Sequence, residues 1–376
     1  MPETGEERAT TRLVRLSNQR SVLNTLFYDG PLTSQELTRR LRLSHPTIST
    51  ITKGLMEMGL VVRGDTVKTI DGRPPAKLQI AENARFSVGA HVTGGHVRIA
   101  VVNFAGNVVE KRKHPFAIEQ TGACWRLFDS LLESFIKDTV ASEASLVGVG
   151  GAVQAPVENV AGEMRLPGLV GDPQPQYGLI QASIGRKVVM NNDAKMAAYA
   201  QVFRKKRHRD VVFLLLGREI GGAIISDGKL YNEGRKNAEF GHMTVELDGR
   251  PCACGKRGCL SGYCSAHALR AQAGVELDAF FAGVEADRPD FCALWDEYLD
   301  YLAVGINNLR MIFDTDVIIG GEMSGYIRKC RERLDTKLAM RNSFGEPANY
   351  MRIGEYGEFD AAVGAALYQL DRFLET

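Results

Sequence analysis

The segment GHMTVELDGRPCACGKRGC, residues 241–259, concentrates side chains that bind metal ions. It contains one imidazole and three thiols, which belong to His242, Cys252, Cys254 and Cys259. One histidine and three cysteines form a ligand set of tetrahedral structural zinc, and four protein ligands leave no open position for a substrate. Gly255 and Gly258 allow tight turns around such an ion. The segment therefore predicts one structural zinc ion per chain.

The other cysteines bear on this prediction. The chain has seven cysteines, an odd number, and four of them lie between Cys252 and Cys264. In a reducing compartment such clustering indicates a metal site more than disulfides. Cys264 could compete as a ligand, although we expect an ordinary thiol there. The alternative to zinc is a group of reduced cysteines that pack near one another.

Outward from this segment, the sequence alternates apolar strands with glycine-rich turns. Strand-like runs occupy residues 86–109, 145–153, 187–193 and 211–226, and residues 124–140 have a helical pattern. This alternation predicts an α/β domain. Because the order of strand, glycine turn and strand occurs in two halves, we predict two related lobes with a ligand-binding cleft between them.

The first 80 residues have another pattern, that of a winged helix-turn-helix. An apolar helical face at residues 22–27 ends at the turn sequence Asp-Gly-Pro, residues 29–31. Thr33 or Ser34 can cap a second helix, and Ser44 can cap a third. On this third helix we predict an inward apolar face formed by Ile48, Ile51, Leu55 and Met58.

The outer face of the third helix carries short polar side chains and one lysine, which suit base edges and phosphates in a major groove. These residues are Ser44, His45, Thr47, Ser49, Thr50 and Lys53. Residues 60–80 then predict two strands around a wing, with Arg73 at a tip that could enter a minor groove or contact the DNA backbone. Residues 1–80 hold twelve Lys or Arg against eight Asp or Glu, a small basic excess. A protein-interaction module is the alternative for these helices.

The spacing His-x9-Cys-x-Cys-x4-Cys, preceded by EFGH, resembles the zinc motif of the ROK family of repressors, open reading frames and kinases. The resemblance extends over essentially the whole chain through the segments GRPP, VGVGGAV, MNNDAKMAAYA, IGGAII and IIGGEMS. It implies an actin-like, ribonuclease H-like domain of two lobes, in a homodimer or a dimer of dimers. We accordingly expect a winged helix-turn-helix at 1–82 and a ROK domain at 83–376. Its lobes would be residues 83–193 and 194–376, with the zinc knuckle at 242–259 and a C-terminal helix that packs back on the first lobe.

The resemblance also implies a sugar pocket. In kinases of the family a carboxylate acts as general base on a sugar hydroxyl, and Asp193 stands at that position beside Asn192. Glu239 and His242 match the sugar-hydroxyl ligands of the family. Structural hydrogen bonds at strand ends are the alternative role for these four residues.

Other positions depart from the family pattern. Ser261 and Gly168 replace a glutamate and an asparagine that usually contact the sugar, so the sugar could be weakly held or atypical, or the pocket vestigial. In the first phosphate loop His91 replaces the carboxylate that positions metal and phosphate, and Thr93 replaces a glycine. Glu219 adds a negative charge to the second phosphate loop. We therefore expect no sugar-kinase activity.

These features predict a repressor of carbohydrate-metabolism genes that binds a double-stranded DNA operator and responds to a sugar or sugar derivative. One alternative is an ATP-dependent sugar kinase with an accessory DNA-binding domain. Another is a regulator controlled by a protein partner. The chain has no apolar run of about 18 residues and no apolar signal core near its start, so we expect a cytoplasmic protein without membrane contact.

Overall fold

The structure is a computed structural model that describes residues 5–66, 76–119, 121–154, 158–160, 163–165, 177–203, 210–231, 237–343, 345 and 347–375. Its helices are α1 Gly5–Asp29, α2 Ser34–Leu41, α3 His45–Glu57, α4 Gly122–Thr139, α5 Tyr177–Ser183, α6 Asp193–Val202, α7 Ser261–Cys264, α8 Ala266–Ala273, α9 Leu277–Glu285, α10 Pro289–Phe313, α11 Ser324–Lys329, α12 Arg331–Arg341 and α13 Asp360–Glu375. Its strands are β1 Val61–Thr66, β2 Ala76–Ile80, β3 Phe86–Val92, β4 His96–Asn103, β5 Val108–Pro115, β6 Leu146–Val153, β7 Glu158–Val160, β8 Glu163–Arg165, β9 Val188–Asn192, β10 Val211–Leu216, β11 Ile220–Ser226, β12 Lys229–Leu230, β13 Asp316–Gly320 and β14 Met351–Ile353.

The N-terminal unit consists of α1, α2, α3 and the β1–β2 hairpin. Thr33 caps α2 through a capping box, in which its backbone N–H donates to Glu36 Oε2 over 2.7 Å. Ser44 caps α3 and accepts from the backbone N–H of Thr47 over 3.3 Å. The predicted winged helix-turn-helix is confirmed. The prediction for Met58 is wrong, because this residue is the C-cap of α3 and its side chain is 45% exposed.

The wing strands are anchored to the helices by the backbone. Strand β1 pairs with β2 antiparallel, with Val61 opposite Ile80. Leu32, between α1 and α2, exchanges two backbone hydrogen bonds with Leu78 of β2, over 3.0 and 2.7 Å. Residues 67–75, which include Arg73 and the GRPP segment, lie outside the described residues.

Two five-stranded sheets form the larger unit and have the same topology. The first sheet has the order β5-β4-β3-β6-β9, and the second sheet has the order β12-β11-β10-β13-β14. In each sheet the first three strands along the chain pair antiparallel, and the next two extend the sheet in parallel. The predicted two-lobe α/β domain is confirmed by this repetition.

Helices α6 and α13 pack against each other between the two sheets. Helix α13 lies on strands β3, β4 and β6 of the first sheet, while α6 contacts β10 and β11 of the second sheet. A Cβ atom at Gly364 of α13 would lie 1.7 Å from the carbonyl oxygen of Met196 in α6. Likewise, a Cβ at Gly89 or Gly150 would lie 2.0 or 2.3 Å from a carbonyl oxygen of α13. Several glycines of the strand segments therefore serve close packing of this helix rather than turns.

Among the described residues, no helix has the length and apolarity that crossing a bilayer requires.

The contact between Gly364 and Met196 makes a testable prediction about stability. Gly364→Ala should lower the free energy of unfolding by about 1 to 3 kcal/mol, because the added methyl group must separate two buried helices. Gly325→Ala is the matched control, since Gly325 lies in α11 with open space around its Cβ position. Urea denaturation followed by circular dichroism measures both variants. Equal midpoints for the two variants would contradict the proposed close contact.

Candidate functional site

A cavity of about 480 Å³ lies between the two sheets. The first sheet and its β3–β4 turn contribute His91, Gly94 and Arg98, and the second sheet contributes the turn at 217–221. Asp193, the first residue of α6, lines the cavity between them. The cleft that the sequence predicts between two lobes is therefore present, and this volume can hold a small organic ligand.

Asn192 and Asp193 are held at the start of α6. The Oδ1 atom of Asn192 caps the helix by accepting from the backbone N–H of Lys195 over 3.1 Å. Asp193 Oδ1 accepts from the backbone N–H of Ala194 over 2.8 Å and from the Asn192 side-chain amide over 3.3 Å. The helix N-terminus further favours this carboxylate. Its other oxygen, Oδ2, lies 3.5 Å from His91 Nε2.

Glu239 and His242 line the same cavity from the second lobe. They belong to a short loop that passes very close to β11, since a Cβ at Gly222 would lie 2.2 Å from the Ala238 carbonyl oxygen. Both side chains are exposed at the cavity wall. The structure thus brings all four residues of the expected sugar pocket, including Asn192 and Asp193, around one space.

Of the two positions that depart from the sugar-binding pattern, Ser261 and Gly168, the structure describes only Ser261. Ser261 is 3% exposed and packs beneath Gly241, where a Cβ at Gly241 would lie 2.4 Å from the Ser261 Oγ atom. Its hydroxyl therefore does not replace a carboxylate at the cavity wall. Gly168 lies outside the described residues.

An ion-pair network crosses the cleft in the wall of the cavity, and sequence reasoning missed it. The Arg98 side chain of β4 is 95% buried. Its Nε donates to Glu358 Oε2 over 3.0 Å, and its Nη2 atom lies 3.8 Å from Glu322 Oε2. Lys113 Nζ donates to the same Glu358 oxygen over 2.7 Å. Burial opposes ionisation of Glu358, but the hydrogen bond from Lys113 and the charge of Arg98 lower its pKa overall. A lone arginine inside the apolar strand segment VRIAVV was the signal available in the sequence.

The two glycine loops of the cavity are occupied by protein groups. An added Cβ at Gly94 would lie 2.9 Å from the Arg218 guanidinium, so this side chain covers the first loop. The Thr93 hydroxyl donates to the His96 carbonyl oxygen over 3.0 Å within that loop. Glu219 lines the cavity, and burial raises the pKa of its carboxyl group. The Arg218 side chain therefore lies over the first loop, whereas a loop that cradles a phosphate leaves its backbone N–H groups open to the ligand.

The predicted metal ligands form one cluster. The ligand atoms of His242, Cys252, Cys254 and Cys259 all lie within 4.8 Å of one another. His242 Nδ1 is 3.6 Å from Cys252 Sγ, and the Sγ atoms of Cys254 and Cys259 are 3.8 Å apart. Tetrahedral bonds of about 2.3 Å to sulfur and about 2.05 Å to nitrogen place ligand atoms about 3.8 Å (S to S) and about 3.6 Å (S to N) apart. These two distances within the cluster therefore match those of a tetrahedral metal site.

The chain around this cluster is closely folded, and one cysteine is separate from it. Gly258 has a φ of +76°, and a Cβ there would lie 1.7 Å from the Glu246 carbonyl oxygen. Cys264 is fully buried, and its thiol donates to the Tyr298 carbonyl oxygen over 3.4 Å. Cys264 is not part of the four-residue cluster.

The expected DNA-reading residues lie along one side of α3. Most of them are exposed, namely Ser44, His45, Ser49, Thr50 and Lys53. Thr47 is half-buried, and its hydroxyl lies 2.8 Å from the Ser44 hydroxyl. Lys53 Nζ is 3.9 Å from Glu57 Oε1, a weak pair at an exposed surface that a phosphate can replace.

Known proteins are similar to this chain in sequence and in fold. The family model described as ROK family matches residues 87–372, and the one described as MarR family matches residues 16–68. A xylose repressor of Caldicellulosiruptor bescii is 25% identical over 356 residues, which is 86% of this chain and 89% of the repressor. A glucokinase of Streptomyces coelicolor is 29% identical over 266 residues, 63% of this chain and 82% of the kinase. The crystal structure of a ROK family transcriptional regulator, a homologue of the E. coli MLC protein, has a TM-score of 0.74 at 18% identity and covers 96% of this chain and 98% of that chain.

Proposed function

Because the chain belongs to the ROK family and begins with a MarR-type winged helix, we propose that it is a transcriptional repressor whose DNA binding is controlled by a sugar. The observation that carries this function is the position of α6. Its first residue, Asp193, lines the cavity, and Phe203 just after its last turn packs its ring 5.7 Å from Phe27 of the DNA-binding unit. One buried helix thus connects a ligand site with a DNA-reading unit. The similarity to a xylose repressor over most of both chains supports the same function.

We propose a neutral monosaccharide as the effector, with D-xylose and D-glucose as the first sugars to test. Asn192, Asp193, Glu239 and His242 would bind its hydroxyls, because amide, carboxylate and imidazole groups supply both hydrogen-bond donors and acceptors. Because Ser261 stands where the family pattern has a glutamate, the pocket has one carboxylate fewer than that pattern. A ligand with fewer hydroxyls, such as a pentose, suits that reduced set.

On DNA, we propose that a homodimer, or a dimer of dimers, presents two α3 helices to half-sites of a palindromic operator. Ser44, His45, Thr47, Ser49 and Thr50 would contact base edges or phosphates, and Lys53 a phosphate. Arg73 would contact a minor groove or the backbone from the wing. We further propose that the DNA-binding unit comprises residues 1–82 and the sugar-binding unit residues 83–376. We also propose that the protein is cytoplasmic.

A sugar kinase with an accessory DNA-binding domain is the second candidate. It is favoured by Asp193, which keeps the position of a general base, and by the similarity to a glucokinase. Phosphoryl transfer also needs groups that hold metal and triphosphate in line. Because Arg218 covers the first glycine loop and Glu219 lines the cavity, ATP would bind poorly. We therefore propose that the protein has no useful kinase activity. A regulator controlled by a protein partner is the third candidate.

We also propose that the four-residue cluster holds one structural zinc ion. The ion would fix the His242 ring through Nδ1, which leaves Nε2 for a ligand in the cavity. The metal would thereby stabilise the loop that contains Glu239. Its function would be structural, because four protein ligands complete the coordination.

The proposed function is tested by measuring DNA affinity with and without sugar. Full-length protein is first used to select a duplex from a random library, and fluorescence anisotropy then gives Kd for that duplex. We expect D-xylose or D-glucose to change Kd by about tenfold or more, which corresponds to about 1.4 kcal/mol. Thr50→Ala combined with Lys53→Ala should weaken DNA binding. Lys53→Ala alone should reduce by about 1 the slope of the logarithm of DNA affinity against the logarithm of salt concentration. Lys229→Ala, at an exposed site in the second lobe, is the control.

One result would reject the proposed DNA-reading face, and another would show that the protein is a sugar kinase. Unaltered DNA affinity after the combined Thr50 and Lys53 changes would reject the reading face. In the same preparation, ADP release is measured with ATP, magnesium and both sugars. Sugar-dependent turnover of about 1 to 10³ per second, abolished by Asp193→Asn, would establish the kinase instead.

The zinc proposal predicts about one zinc per chain in protein expressed with sufficient metal. Cys254→Ser should lower both the zinc content and the thermal midpoint, because it removes one of four ligands. Cys292→Ser is the control, since Cys292 is a half-buried free thiol outside the cluster. Plasma emission spectrometry and differential scanning fluorimetry give the two readings. Wild-type protein without zinc would contradict the proposal.

A further inference from the structure

We propose that His91 binds the effector and selects a neutral hydroxyl group at the floor of the cavity. This inference rests on the proposed function and names a residue that the family pattern does not assign to the sugar. His91 lies in β3, the central strand of the first sheet, opposite Arg98 of β4 and Ala152 of β6. Its neighbours Ala90 and Val92 point into the apolar core, whereas His91 lines the cavity.

The His91 ring is buried without protein hydrogen-bond partners. The residue is 6% exposed, and neither ring nitrogen forms a hydrogen bond with another residue that the structure describes. Its Nε2 lies 3.5 Å from Asp193 Oδ2, which is too long for a good hydrogen bond. A buried polar group without a partner is unfavourable, so a structural role alone gives little reason for a histidine here.

The geometry between His91 and Asp193 indicates the chemical class of the ligand. A hydroxyl group has one donor and two acceptor positions, so it can donate to Asp193 Oδ2 and accept from the His91 N–H at the same time. A phosphate or carboxylate at this point would meet the Asp193 carboxylate at short range. Arginines also line the cavity, but Arg98 is paired with Glu322 and Glu358, and Arg270 with Glu276 and Glu322. The pair therefore selects an unmodified sugar hydroxyl over an anionic group.

The test compares sugar affinity and stability in three histidine variants of the full-length protein. Isothermal titration with D-xylose and D-glucose gives Kd, and scanning fluorimetry without sugar gives the thermal midpoint. His91→Phe removes both nitrogens while keeping a ring, and should weaken binding by about tenfold or more. Its midpoint should stay or rise by about 2 to 4 °C, because unpartnered buried polar atoms are removed. His91→Gln retains an N–H donor and should recover most of the affinity.

His114→Phe is the control, because His114 lies in the edge strand β5 and does not line the cavity. Unchanged sugar affinity in His91→Phe would overturn the role of His91, while sugar-dependent DNA binding would still support the proposed function. A midpoint in His91→Phe several degrees below that of wild type would establish a structural role instead. Tighter binding of D-glucose 6-phosphate than of D-glucose would overturn the selection of a neutral hydroxyl. If wild-type protein binds no sugar, the proposed function itself fails.

A second inference rests on a different group of residues, at the other end of α6. We infer that Tyr28, Tyr199 and Asp371 form a clasp through which the effector changes the position of the DNA-binding unit. Asp371 of α13 accepts a hydrogen bond from Tyr28 of α1 at Oδ1, and one from Tyr199 of α6 at Oδ2 over 2.5 Å. Three helices, one of them from the DNA-binding unit, therefore meet at one carboxylate.

Within the clasp Tyr199 is buried, and Tyr28 and Asp371 are half-buried. Burial and the nearby Asp371 carboxylate raise the pKa of both tyrosines well above the ordinary value, so both phenols remain protonated donors at neutral pH. The Phe203 ring packs against both tyrosines of the clasp, with its centroid 6.5 Å from that of Tyr28 and 5.9 Å from that of Tyr199. Two charge-assisted hydrogen bonds among packed rings are strong and directional.

The cavity and the clasp are connected by stiff elements. Every residue of α6 from Asp193 to Val202 is buried, and Tyr199 lies about 9 Å along the helix from Asp193 at 1.5 Å per residue. The close approach of Gly364 to Met196 joins α6 to α13, which carries Asp371. A shift of Asp193 on sugar binding must therefore move Tyr199, and Tyr28 follows through the shared carboxylate.

The test measures the ratio of operator Kd with and without sugar, using the selected duplex. Tyr199→Phe and Tyr28→Phe each keep the ring and remove one donor. We expect each variant to keep the sugar affinity of wild type within about twofold while the ratio falls from the range of about 5 to 150 that is typical of allosteric coupling toward 1. Tyr326→Phe is the matched control, because Tyr326 donates to Asp278 over 3.0 Å in the second lobe, away from the clasp.

Wild-type ratios in both Tyr199→Phe and Tyr28→Phe would overturn the clasp. A loss of sugar affinity equal to the loss of coupling would also overturn it, because the effect would then originate in the pocket. If one variant does not fold, the other still tests the clasp, because it removes the hydrogen bond to the other oxygen of Asp371. A wild-type ratio of 1 would reject sugar control and the clasp together.

Discussion

The close approach of α13 to α6 is the constraint on which the rest of the structure depends. Only glycine at position 364 lets the two helix backbones come this near, since a side chain would overlap the Met196 carbonyl oxygen. Because α13 lies on the first sheet and α6 contacts the second, this contact fixes the relative position of both sheets. The cavity, whose walls come from both sheets, takes its shape from the same contact.

The two helices also extend from the cavity to the DNA-binding unit. Both begin at the cavity, with Asp193 and Ala361 in its wall. At their other ends Phe203 packs against Phe27 of α1, and Asp371 accepts a hydrogen bond from Tyr28 of α1. Packed interiors transmit displacement because they have few voids in which movement can be absorbed. A ligand that prefers one position of Asp193 can therefore favour one position of the winged helix, by no more than the difference in its affinity for the two states.

Ion pairs within the chain connect the two lobes. Arg98 and Lys113 of the first sheet pair with Glu322 and Glu358 across the cleft, so charges within the chain bridge the two lobes. Only Arg98 is buried among these groups, and its charge is compensated by Glu358, which accepts hydrogen bonds from both Arg98 and Lys113. The contact between the two lobes therefore includes ion pairs as well as the packing of α6 against α13.

The sequence by itself determined the features whose physics is local. Helix caps at Thr33 and Ser44, the turn at Gly30 and the cluster of one histidine and three cysteines depend on residues close in the chain, so pattern and spacing were enough to predict them. Tertiary structure alone decided the contacts between distant residues. Tyr28 and Asp371 are 343 positions apart, Tyr199 and Asp371 are 172 apart, and His91 meets Asp193 only where β3 and α6 converge. The direction of a side chain such as Arg98 or His91 depends on which sheet face the packed helices cover, and that is a property of the assembled core rather than of any short segment.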